Sequence, residues 1–539
     1  MADNTIHAVQ LVFLLLLLFV VVFASLARKI QLPYPIVLVI AGLFLSFIPG
    51  IPRVTLNPDI IFLAFLPPLL YSAAWFTSWR DFKYHMVSIF FLAFGLVGFT
   101  VLGVAATAGY IFPGFNWRLG FVLGAVVATT DAIAATSIAK RIGLPKRVVD
   151  ILEGESLVND ATGLLALEFG LALILENQPV SVVAGALRLV YLVAVGTVIG
   201  LVIALLVERI ERYLDDGPIE ITLSVMIPYV AYLTAERAHA SGVFAVVACG
   251  LYLSYRSTHL FSANVRLQAY GFWNALNFVL NGLVFVLIGL QLPQVLAGIR
   301  GYRLSQLILY GTIFSALLIA LRIMWMYPGT YAANFIRRRF LHQRHPMPSA
   351  RAIFVVGWTG MRGVIALAAA MSLPETLPSG APFPGRDLII FLTFCVILVT
   401  LVLQGLTLAP LIRALGLAGQ PQSDSDEREA RRFILESALK HIEARPSDGD
   451  NHHLASAYSD ARARYQRRLA ALGGQDYSEL GFDPEDYAHV IDVGLQLIRL
   501  ERQTAVRLRN EGRISDELLR KLERELDLNE ARLQAQTTP

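Results

Sequence analysis

The stretch LGFVLGAVVATTDAIAATSIAK, residues 119–140, has the length and apolar composition of a membrane-spanning helix. Its interior nevertheless contains a carboxylate, Asp131. An Asp at the centre of a membrane helix costs about 2.5–3.5 kcal/mol on insertion scales. Such residues therefore face the interior of a helix bundle or a water-filled cavity rather than lipid. The position of this carboxylate indicates a polar site inside the membrane.

The composition of the whole chain supports a membrane protein. Of its 539 residues, 55% are hydrophobic and 16% are charged, whereas soluble domains average about 25% charged residues. Polar residues are concentrated after residue 420, which predicts a membrane domain, 1–420, and a soluble tail, 421–539. The net charge of +4 is too small to indicate a nucleic-acid partner. Cys249 and Cys395 lie in apolar runs, as buried thiols do.

About thirteen apolar runs in the membrane part are long enough, or nearly long enough, to span a bilayer. The first run has no basic segment before it and no convincing cleavage site, so we expect a retained helix rather than a signal peptide. The runs cover residues 7–27, 34–49, 59–76, 86–111, 119–140, 155–176, 181–207, 219–236, 241–255, 271–292, 303–326, 351–373 and 387–412.

The basic residues of the connections favour one orientation. Lys and Arg are more numerous in one set of alternating loops, for example at Lys140, Arg141, Arg338 and Arg339, than in the other set. Because basic loops stay in the cytoplasm, an odd number of spans places the N-terminus outside and the tail in the cytoplasm. Leucines recur at helical spacing in DELLRKLERELDLNEARL, 516–533, which predicts a helical tail. This tail is either a packed or dimerising bundle or a regulatory element.

The segment EGESLVNDATG, 153–163, adds further polar groups. On a helix, Ser156, Asn159, Asp160 and Gly163 fall at i, i+3, i+4 and i+7, which places them on one face. Hard cations such as sodium prefer oxygen ligands of this kind, and no Cys/His cluster in the sequence competes for a transition metal. If Ser156 served only as a helix cap, Asp160 would stay unexplained.

Two segments combine a charge with residues that weaken a helix. Thr129 and Thr130 precede Asp131 and compete with the helix backbone for hydrogen bonds, and three glycines flank Arg362 in GWTGMRG, 357–363. Interrupted helices in corresponding halves of a chain are typical of transporters built from inverted repeats, whose freed carbonyls bind the transported cation at the midplane. The sequence therefore predicts an all-α membrane protein with inverted repeats and two interrupted crossing helices around a cation site.

Five segments, in register, resemble the monovalent cation:proton antiporters, specifically the bacterial sodium/proton exchangers of the NhaP type. Together they extend over most of the membrane part, so the resemblance is more specific than any one of them. The segments are FLPPLLYSAAW (65–75), TTDAIAATSIAKRIGLPKRVVDILEGESLVNDATGLL (129–165), FVLIGLQLP (285–293), GMRGVIALAAAMSLP (360–374) and LVLQGLTLAPLIRALGL (401–417).

The resemblance implies the residues of a site. Asp160 is expected to bind either a proton or sodium, and Asn159 is the other half of the family's Asn-Asp pair. Thr130 is expected to provide a main-chain oxygen, Asp131 a second carboxylate and Ser156 a hydroxyl ligand. No cofactor is expected beyond the transported sodium and protons.

The resemblance also implies supporting charges and an assembly. Glu155 is expected to pair with the buried Arg362, and Arg322 to lie close to the site. The implied fold is a dimerisation domain beside a mobile core, present as a homodimer in the cytoplasmic membrane of a bacterium. Two positions depart from the family: Ser72 stands where relatives often have an acidic residue, and Ala132 replaces the proline that commonly follows Thr-Asp.

The expected activity is exchange by competition at one site. Burial favours the protonated form of a carboxylate, so Asp160 either holds a proton or releases it to bind sodium or lithium. With Asn159 in place of a second Asp, the resemblance implies electroneutral exchange of one cation for one proton. Potassium selectivity is an alternative, because ion selection depends on cavity dimensions. A cation channel and a membrane receptor with a signalling tail are the alternatives from other classes, and an enzyme is not expected.

Overall fold

A computed structural model describes ten parts of the chain, which divide into two compact units, Met1–Gly419 and Gln420–Pro539. The described residues are 2–48, 58, 61–175, 182–299, 301–342, 347–418, 422–444, 452–471, 484–511 and 516–537. The structure is helical throughout these residues, apart from connecting turns and one isolated β-bridge between Thr376 and Pro382.

The first unit is a bundle of helices. They are α1 Ala2–Lys29, α2 Tyr34–Leu45, α3 Leu66–Phe76, α4 Trp79–Phe90, α5 Val97–Ile111, α6 Trp117–Ala128, α7 Ile133–Ile142, α8 Lys146–Leu175, α9 Val182–Glu211, α10 Gly217–Arg237, α11 Gly242–Leu260, α12 Ala263–Leu290, α13 Leu292–Gly298, α14 Leu304–Phe340, α15 Ala350–Trp358, α16 Val364–Met371, α17 Arg386–Val399 and α18 Gly405–Ala414. Three short π-helical segments lie before α3, between α4 and α5, and before α18, at Ile61–Phe65, Phe91–Leu96 and Thr400–Gln404.

Most of these helices are suited to a bilayer. Within the described residues, eight helical stretches are long and apolar enough to cross a membrane, and α6 with α7, bent by 41° at their junction, make a ninth. Shorter apolar helices occur at Tyr34–Leu45, Phe62–Phe76 and Gly242–Ser257. The all-helical, multi-pass membrane fold is therefore confirmed. The number of thirteen spans also includes the shorter helices and the pair α15–α16, and it stays a prediction.

The chain is interrupted at both places where the sequence weakens a helix. Between α6 and α7, Thr129 adopts an extended conformation with φ −68° and ψ 138°. The Asp131 carboxylate then accepts a hydrogen bond from the N–H of Ile133 at 2.8 Å, which satisfies a free donor at the start of α7. The second interruption separates α15 from α16, at residues 359–363. The break at 129–132 forms although Ala132 stands where relatives commonly have proline.

The two interruptions contact each other directly. The backbone N–H of Asp131 donates to the carbonyl of Met361 at 2.8 Å. In return, Nε of Arg362 donates to the carbonyl of Val127 at 3.2 Å, at the end of α6. Carbonyls at a helix end lack intrahelical partners, so the guanidinium of Arg362 satisfies one of them inside the bundle. The predicted crossing of two interrupted helices is thus present in the structure.

Glycine permits this close approach. A Cβ atom added at Gly363 would lie 2.7 Å from Cβ of Asp131, and one added at Gly163 of α8 would lie 2.4 Å from Cγ2 of Thr129. Real Cβ atoms do not come so close to other heavy atoms. Glycine at these two positions lets α8 and the second interruption pack against the residues 129–131.

The second unit is also helical. Its described helices are α19 Gln422–Glu443, α20 His452–Ala471, α21 Pro484–Asn510 and α22 Asp516–Thr537. Leu435 and Leu439 of α19 pack with Leu469 of α20. Arg502 of α21 forms salt bridges with Asp527 at 2.6 Å and Glu530 at 2.7 Å, both on α22. Apolar packing and surface ion pairs therefore join these helices in consecutive pairs.

Candidate functional site

A cavity of about 260 Å³ lies where the first interruption meets α3, α8 and α12. Its polar lining combines side chains from each of these elements, while much of the remaining wall is apolar. The polar residues include Ser72, Thr130, Asp131, Ser156, Asp160 and Asn277. Five of the six residues predicted to bind the cation or proton therefore face one space. The sixth, Asn159, is not among the residues that line it.

Asp160 is the buried carboxylate of this cavity. It lies on α8 with 5% of its surface exposed, and it lines the cavity together with Asp131. Among the residues that the structure describes, none forms a hydrogen bond or salt bridge with its side chain. An isolated ionised carboxylate is costly to bury, so this group favours either a proton or a bound cation. Its neighbour Asp131 adds like charge and makes that preference stronger.

Asp131 is fixed by the interruption itself. Its Oδ1 accepts from the N–H of Ile133 and its own backbone N–H donates to Met361, both at 2.8 Å. These two bonds hold its carboxylate at the cavity wall. One carboxylate oxygen caps α7, and the other is available to a ligand in the cavity.

Asn159 orients the unwound segment. Its Nδ2 donates to Oγ1 of Thr130 at 2.6 Å, and the Thr130 hydroxyl donates to Oε1 of Glu155 at 3.1 Å. Asn159 and Glu155 are four residues apart on α8, so together they hold Thr130 from one helix face. The Nδ2 of Asn159 is thus engaged, whereas its buried Oδ1 has no hydrogen-bond partner within the described residues. The predicted part of Asn159 in binding stays a prediction.

The buried ion pair differs from the expected one. Glu155 pairs with Arg322 of α14, whose Nη1 and Nη2 donate to its two carboxylate oxygens at 2.6 and 2.8 Å. Arg362, the expected partner, instead donates to the carbonyls of Val127 and Gly360. The reason is geometric: the parallel donors of Arg322 match both oxygens of Glu155, while Arg362 satisfies carbonyls freed by the two interruptions.

A glycine again makes this arrangement possible. A Cβ atom at Gly360 would lie 2.3 Å from Cδ of Arg322 and 3.1 Å from Nη1 of Arg362. Both arginines are 1–2% exposed. Two buried guanidinium groups therefore flank one glycine within the second interruption, and each donates to a different set of oxygens.

Ala132 and Ser156 form a contact that a proline would not allow. The backbone N–H of Ala132 donates to Oγ of Ser156 at 3.4 Å, and proline has no N–H to give. Because residue 132 is alanine and not proline, its N–H can bond the interruption to α8 through the Ser156 hydroxyl. Ser156 still lines the cavity, so its oxygen also faces the space where a cation would bind.

The sequence reasoning missed the two amide side chains that line the cavity. Asn277 and Asn281 of α12 both line the cavity, and Oδ1 of Asn277 accepts from the hydroxyl of Ser72 at 2.6 Å. Their spacing of four residues within an apolar helix places two amides on one face. That spacing was the available signal, and the absence of a charge made it easy to overlook.

Comparisons with known proteins agree with this architecture. Residues 14–414 match the family model described as "Sodium/hydrogen exchanger, transmembrane". The chain is 32% identical over 518 residues to an uncharacterized Na⁺/H⁺ exchanger of Mycobacterium tuberculosis, covering 95% of this chain and 94% of that protein. It is also 32% identical over 419 residues to the Na⁺/H⁺ antiporter ApNhaP of Aphanothece halophytica, covering 77% of this chain and 76% of that protein.

A solved structure shows the same fold. The sodium proton antiporter MjNhaP1 of Methanocaldococcus jannaschii, at pH 8, aligns with a TM-score of 0.58 and 20% sequence identity over 76% of this chain and 99% of that one. At this identity the likeness concerns the fold alone. The family match over most of the membrane part and the near full-length relatives are the stronger finding: this chain belongs to the sodium/hydrogen exchanger family of multi-pass membrane transporters.

Proposed function

We propose that this protein exchanges sodium for protons across the membrane, and that both ions compete for Asp160. The observation that carries the proposal is the buried carboxylate of Asp160, which faces a polar cavity and has no partner among the described residues. Asp131, 29 residues earlier in the chain, brings a second carboxylate to the same cavity. Membership of the sodium/hydrogen exchanger family supports the same activity.

Competition follows from the chemistry of the cavity. Burial stabilises the neutral, protonated form of a carboxylate, and a nearby cation stabilises the ionised form. Asp160 is therefore neutralised either by a proton or by sodium. The Asp131 carboxylate, the Ser156 hydroxyl and an oxygen of Thr130 are available to complete an oxygen shell around the cation. If only the neutralised site can move between the two faces of the membrane, each turnover exchanges one ion for the other.

The surroundings of position 159 support electroneutral exchange. Asn159 cannot titrate, and its amide is bonded to the Thr130 hydroxyl. Two other carboxylates of α8 lie nearby, and both are paired: Glu155 with Arg322 and Glu153 with Lys140. If Asp131 stays ionised as a ligand of the cation, Asp160 alone changes its protonation state, which gives one proton for one sodium ion.

A second cation has support from a relative. The chain is 32% identical over 422 residues to a "Sodium, potassium, lithium and rubidium/H(+) antiporter" of Bacillus pumilus, covering 76% of this chain and 62% of that protein. The cavity of about 260 Å³ is much larger than a single dehydrated ion. Potassium/proton exchange is therefore the second candidate function.

We also propose the orientation and assembly. The density of basic residues in alternating loops supports a cytoplasmic tail and an outer N-terminus. The family resemblance supports a homodimer in the cytoplasmic membrane. Cysteines introduced at exposed loop positions and labelled with an impermeant reagent would test the orientation, and the mass of the purified protein would test the dimer.

The decisive experiment uses purified protein in proteoliposomes with an imposed pH gradient. We expect uptake of sodium driven by proton efflux, with lithium and potassium compared at equal concentration. Asp160→Asn should reduce uptake to that of empty liposomes. Glu168→Gln is the matched control, because Glu168 lies on the same helix with its side chain 60% exposed.

Two results would contradict the proposal. Sodium uptake by Asp160→Asn at the wild-type rate would remove Asp160 from the site. Ion flux without coupling to the pH gradient would indicate a channel. Equal uptake of potassium and sodium would instead support the broader cation specificity.

A further inference from the structure

A second cavity, separate from the carboxylates of the exchange site, contains a buried cation. This cavity of about 70 Å³ lies between α4, α8, α14 and α15. It is several times larger than the ~10–15 Å³ that one water molecule needs. Its polar lining includes Ser88, Arg147, Asn334 and Arg337. Among the lining residues that the structure describes, none is a carboxylate.

Arg337 is the unusual member of this lining. It lies in the last turn of α14 with 2% of its surface exposed, whereas its neighbours Arg338 and Arg339 are exposed. Its Nη2 donates to the hydroxyl of Ser88 at 3.0 Å, but its Nε has no hydrogen-bond partner among the described residues. Within the described part of the chain, Arg337 forms no salt bridge.

A buried charge without a counter-charge is costly. The two buried arginines of the exchange site show the usual solutions: Arg322 pairs with both oxygens of Glu155, and Arg362 donates to two backbone carbonyls. Within the described residues, Arg337 has neither kind of partner. The carbonyl end of α14 attracts a cation, but that interaction is equally available to the exposed Arg338. The burial of Arg337 toward a cavity therefore calls for a different counter-charge.

The neighbouring elements add positive potential to the same cavity. Arg147 lines it from the first turn of α8, and Pro348 and Ala352 line it from the start of α15. The N-termini of helices carry partial positive charge. The N–H of Ala352 already donates to Oγ of Ser349 and that of Val148 to the carbonyl of Pro145, so these helix starts contribute charge rather than free donors. Two helix starts, two guanidinium groups and the Ser88 hydroxyl thus converge on a space too small for a whole lipid or nucleotide.

We propose that this cavity binds a phosphate group, either free or in the headgroup of an anionic lipid. Arginine donors match the oxygens of phosphate in pairs, and basic pockets between membrane helices are suited to lipid headgroups. The partly exposed side chains of Arg147, Asn334 and Pro348 give the cavity an edge at the surface, beside the basic end of α14. The site goes beyond the transport reaction, since neither the cation nor the proton is bound there.

The cavity is connected to the exchange site through two helices. Val356 of α15 lines the cavity, and its carbonyl accepts from Nη2 of Arg322 at 3.4 Å. Ile151 of α8 also lines it, one turn before Glu155. An anion bound at Arg337 would therefore hold α15 against α8 and α14, at the end of α15 opposite to the interruption.

Thermal unfolding of the purified protein in detergent tests the proposal. One arm adds phosphatidylglycerol, with zwitterionic phosphatidylcholine as its control. The other adds inorganic phosphate, with chloride at equal ionic strength as its control. We expect the unfolding midpoint of the wild type to rise with ligand concentration in at least one arm, because a ligand that binds the folded state stabilises it. A response to the lipid alone assigns the headgroup, and a response to inorganic phosphate alone assigns the free anion.

Variants of Arg337 and its neighbour test whether the ligand-dependent shift of the unfolding midpoint arises at this cavity. Arg337→Gln should lose the ligand-dependent shift, while Arg338→Gln, one residue away and exposed, should keep it. Arg337→Lys, which retains the charge but not the paired donors, should need a higher ligand concentration for the same shift. Arg337→Lys also tests the proposal if Arg337→Gln does not fold. No shift of the wild type in either arm would overturn the proposal, as would a full response from Arg337→Gln or Arg337→Lys.

Discussion

Glu155 and Asp160 lie five residues apart on α8 and are buried to a similar extent, but they differ in their partners. Glu155 is 1% exposed, and both of its oxygens accept from Arg322. Asp160 is 5% exposed, and no described residue bonds to its carboxylate. Burial alone therefore does not distinguish a structural carboxylate from one that exchanges ligands. The partners do.

This difference has a physical basis. A paired carboxylate gains little from a proton or a cation, because its charge is already compensated. An unpaired one needs such a ligand to be stable in the same low-dielectric interior. In this protein the first arrangement fixes α8 to α14, and the second leaves one charge of α8 open to the cavity.

Removing each carboxylate in turn should have the largest effects. We expect Asp160→Asn to abolish exchange while the protein stays folded, because the amide keeps the shape of the side chain. Glu155→Ala should instead destabilise the protein by about 3–5 kcal/mol, because it leaves Arg322 charged and buried without a counter-charge. Proteoliposome uptake and thermal unfolding in detergent measure the two effects.

The control is the double variant Glu155→Ala with Arg322→Met. Removing both members of a buried pair costs less than removing one, so this variant should be more stable than Glu155→Ala. If Glu155→Ala were as stable as the wild type, or if Asp160→Asn exchanged sodium normally, the assignment of the two roles would be wrong.

Asp131→Asn should have the next largest effect. The amide oxygen can still accept from the N–H of Ile133, so the interruption should keep its form. The loss of the second carboxylate should weaken cation binding and leave a small residual exchange at Asp160. Sodium uptake measured over a range of concentrations would show a higher half-saturating concentration. Wild-type uptake at low sodium would exclude Asp131 as a ligand.

Asn159→Asp adds a carboxylate next to Asp160. We expect weaker exchange, since the Asp cannot donate to Thr130 as the amide does at 2.6 Å. We also expect exchange to stay electroneutral, because this side chain faces Thr130 rather than the cavity. A membrane potential set with potassium and valinomycin should change the rate of neither the wild type nor the variant.

If the exchange rate did depend on voltage, one of these two expectations, for the wild type or for Asn159→Asp, would be contradicted. If the wild type responded to voltage, the exchange of one cation for one proton would be wrong. If only Asn159→Asp responded, residue 159 would set the number of protons, and its predicted place in binding would be supported.

Ser72→Ala should have the smallest effect. The Ser72 hydroxyl donates to Oδ1 of Asn277 at 2.6 Å, and a typical hydrogen bond contributes about 0.5–1.5 kcal/mol. We expect a small loss of stability and nearly normal sodium uptake. Ser315→Ala is the matched control, since that buried hydroxyl bonds within α14 and does not line the cavity. A strong loss of uptake in Ser72→Ala alone would make this hydroxyl a cation ligand.

Much of this site was predictable because it depends on local sequence. The helical spacing of Ser156 and Asp160 and the weak helix around Asp131 follow from neighbouring residues, and the structure brings all three to one cavity. The interruption at 129–132 forms without its proline. It is held by the bond from Asp131 to Met361, a contact between segments 230 residues apart, which no local pattern could reveal.

The partner of Glu155 could not be predicted for the same reason. Arg322 and Arg362 are both buried arginines, and the choice between them depends on where α14 and the second interruption lie in space. The sequence shows which charged residues are available for pairing, but it does not show how far apart their side chains lie in the fold. Asn277 was missed because an uncharged amide in an apolar helix costs less to bury than a carboxylate, so its presence there does not by itself indicate a site.

The crossing of the two interruptions also limits how the protein can move. Separating the segments would leave the carbonyls of Met361 and Val127 without the donors Asp131 and Arg362, at about 1–3 kcal/mol for each unsatisfied group. Helices that slide past neighbours through apolar contacts lose no such bonds. In kinematic terms, the crossing is a rigid joint and not a hinge. Any alternation between the two faces of the membrane is expected to carry both segments, and the cation between them, as one body.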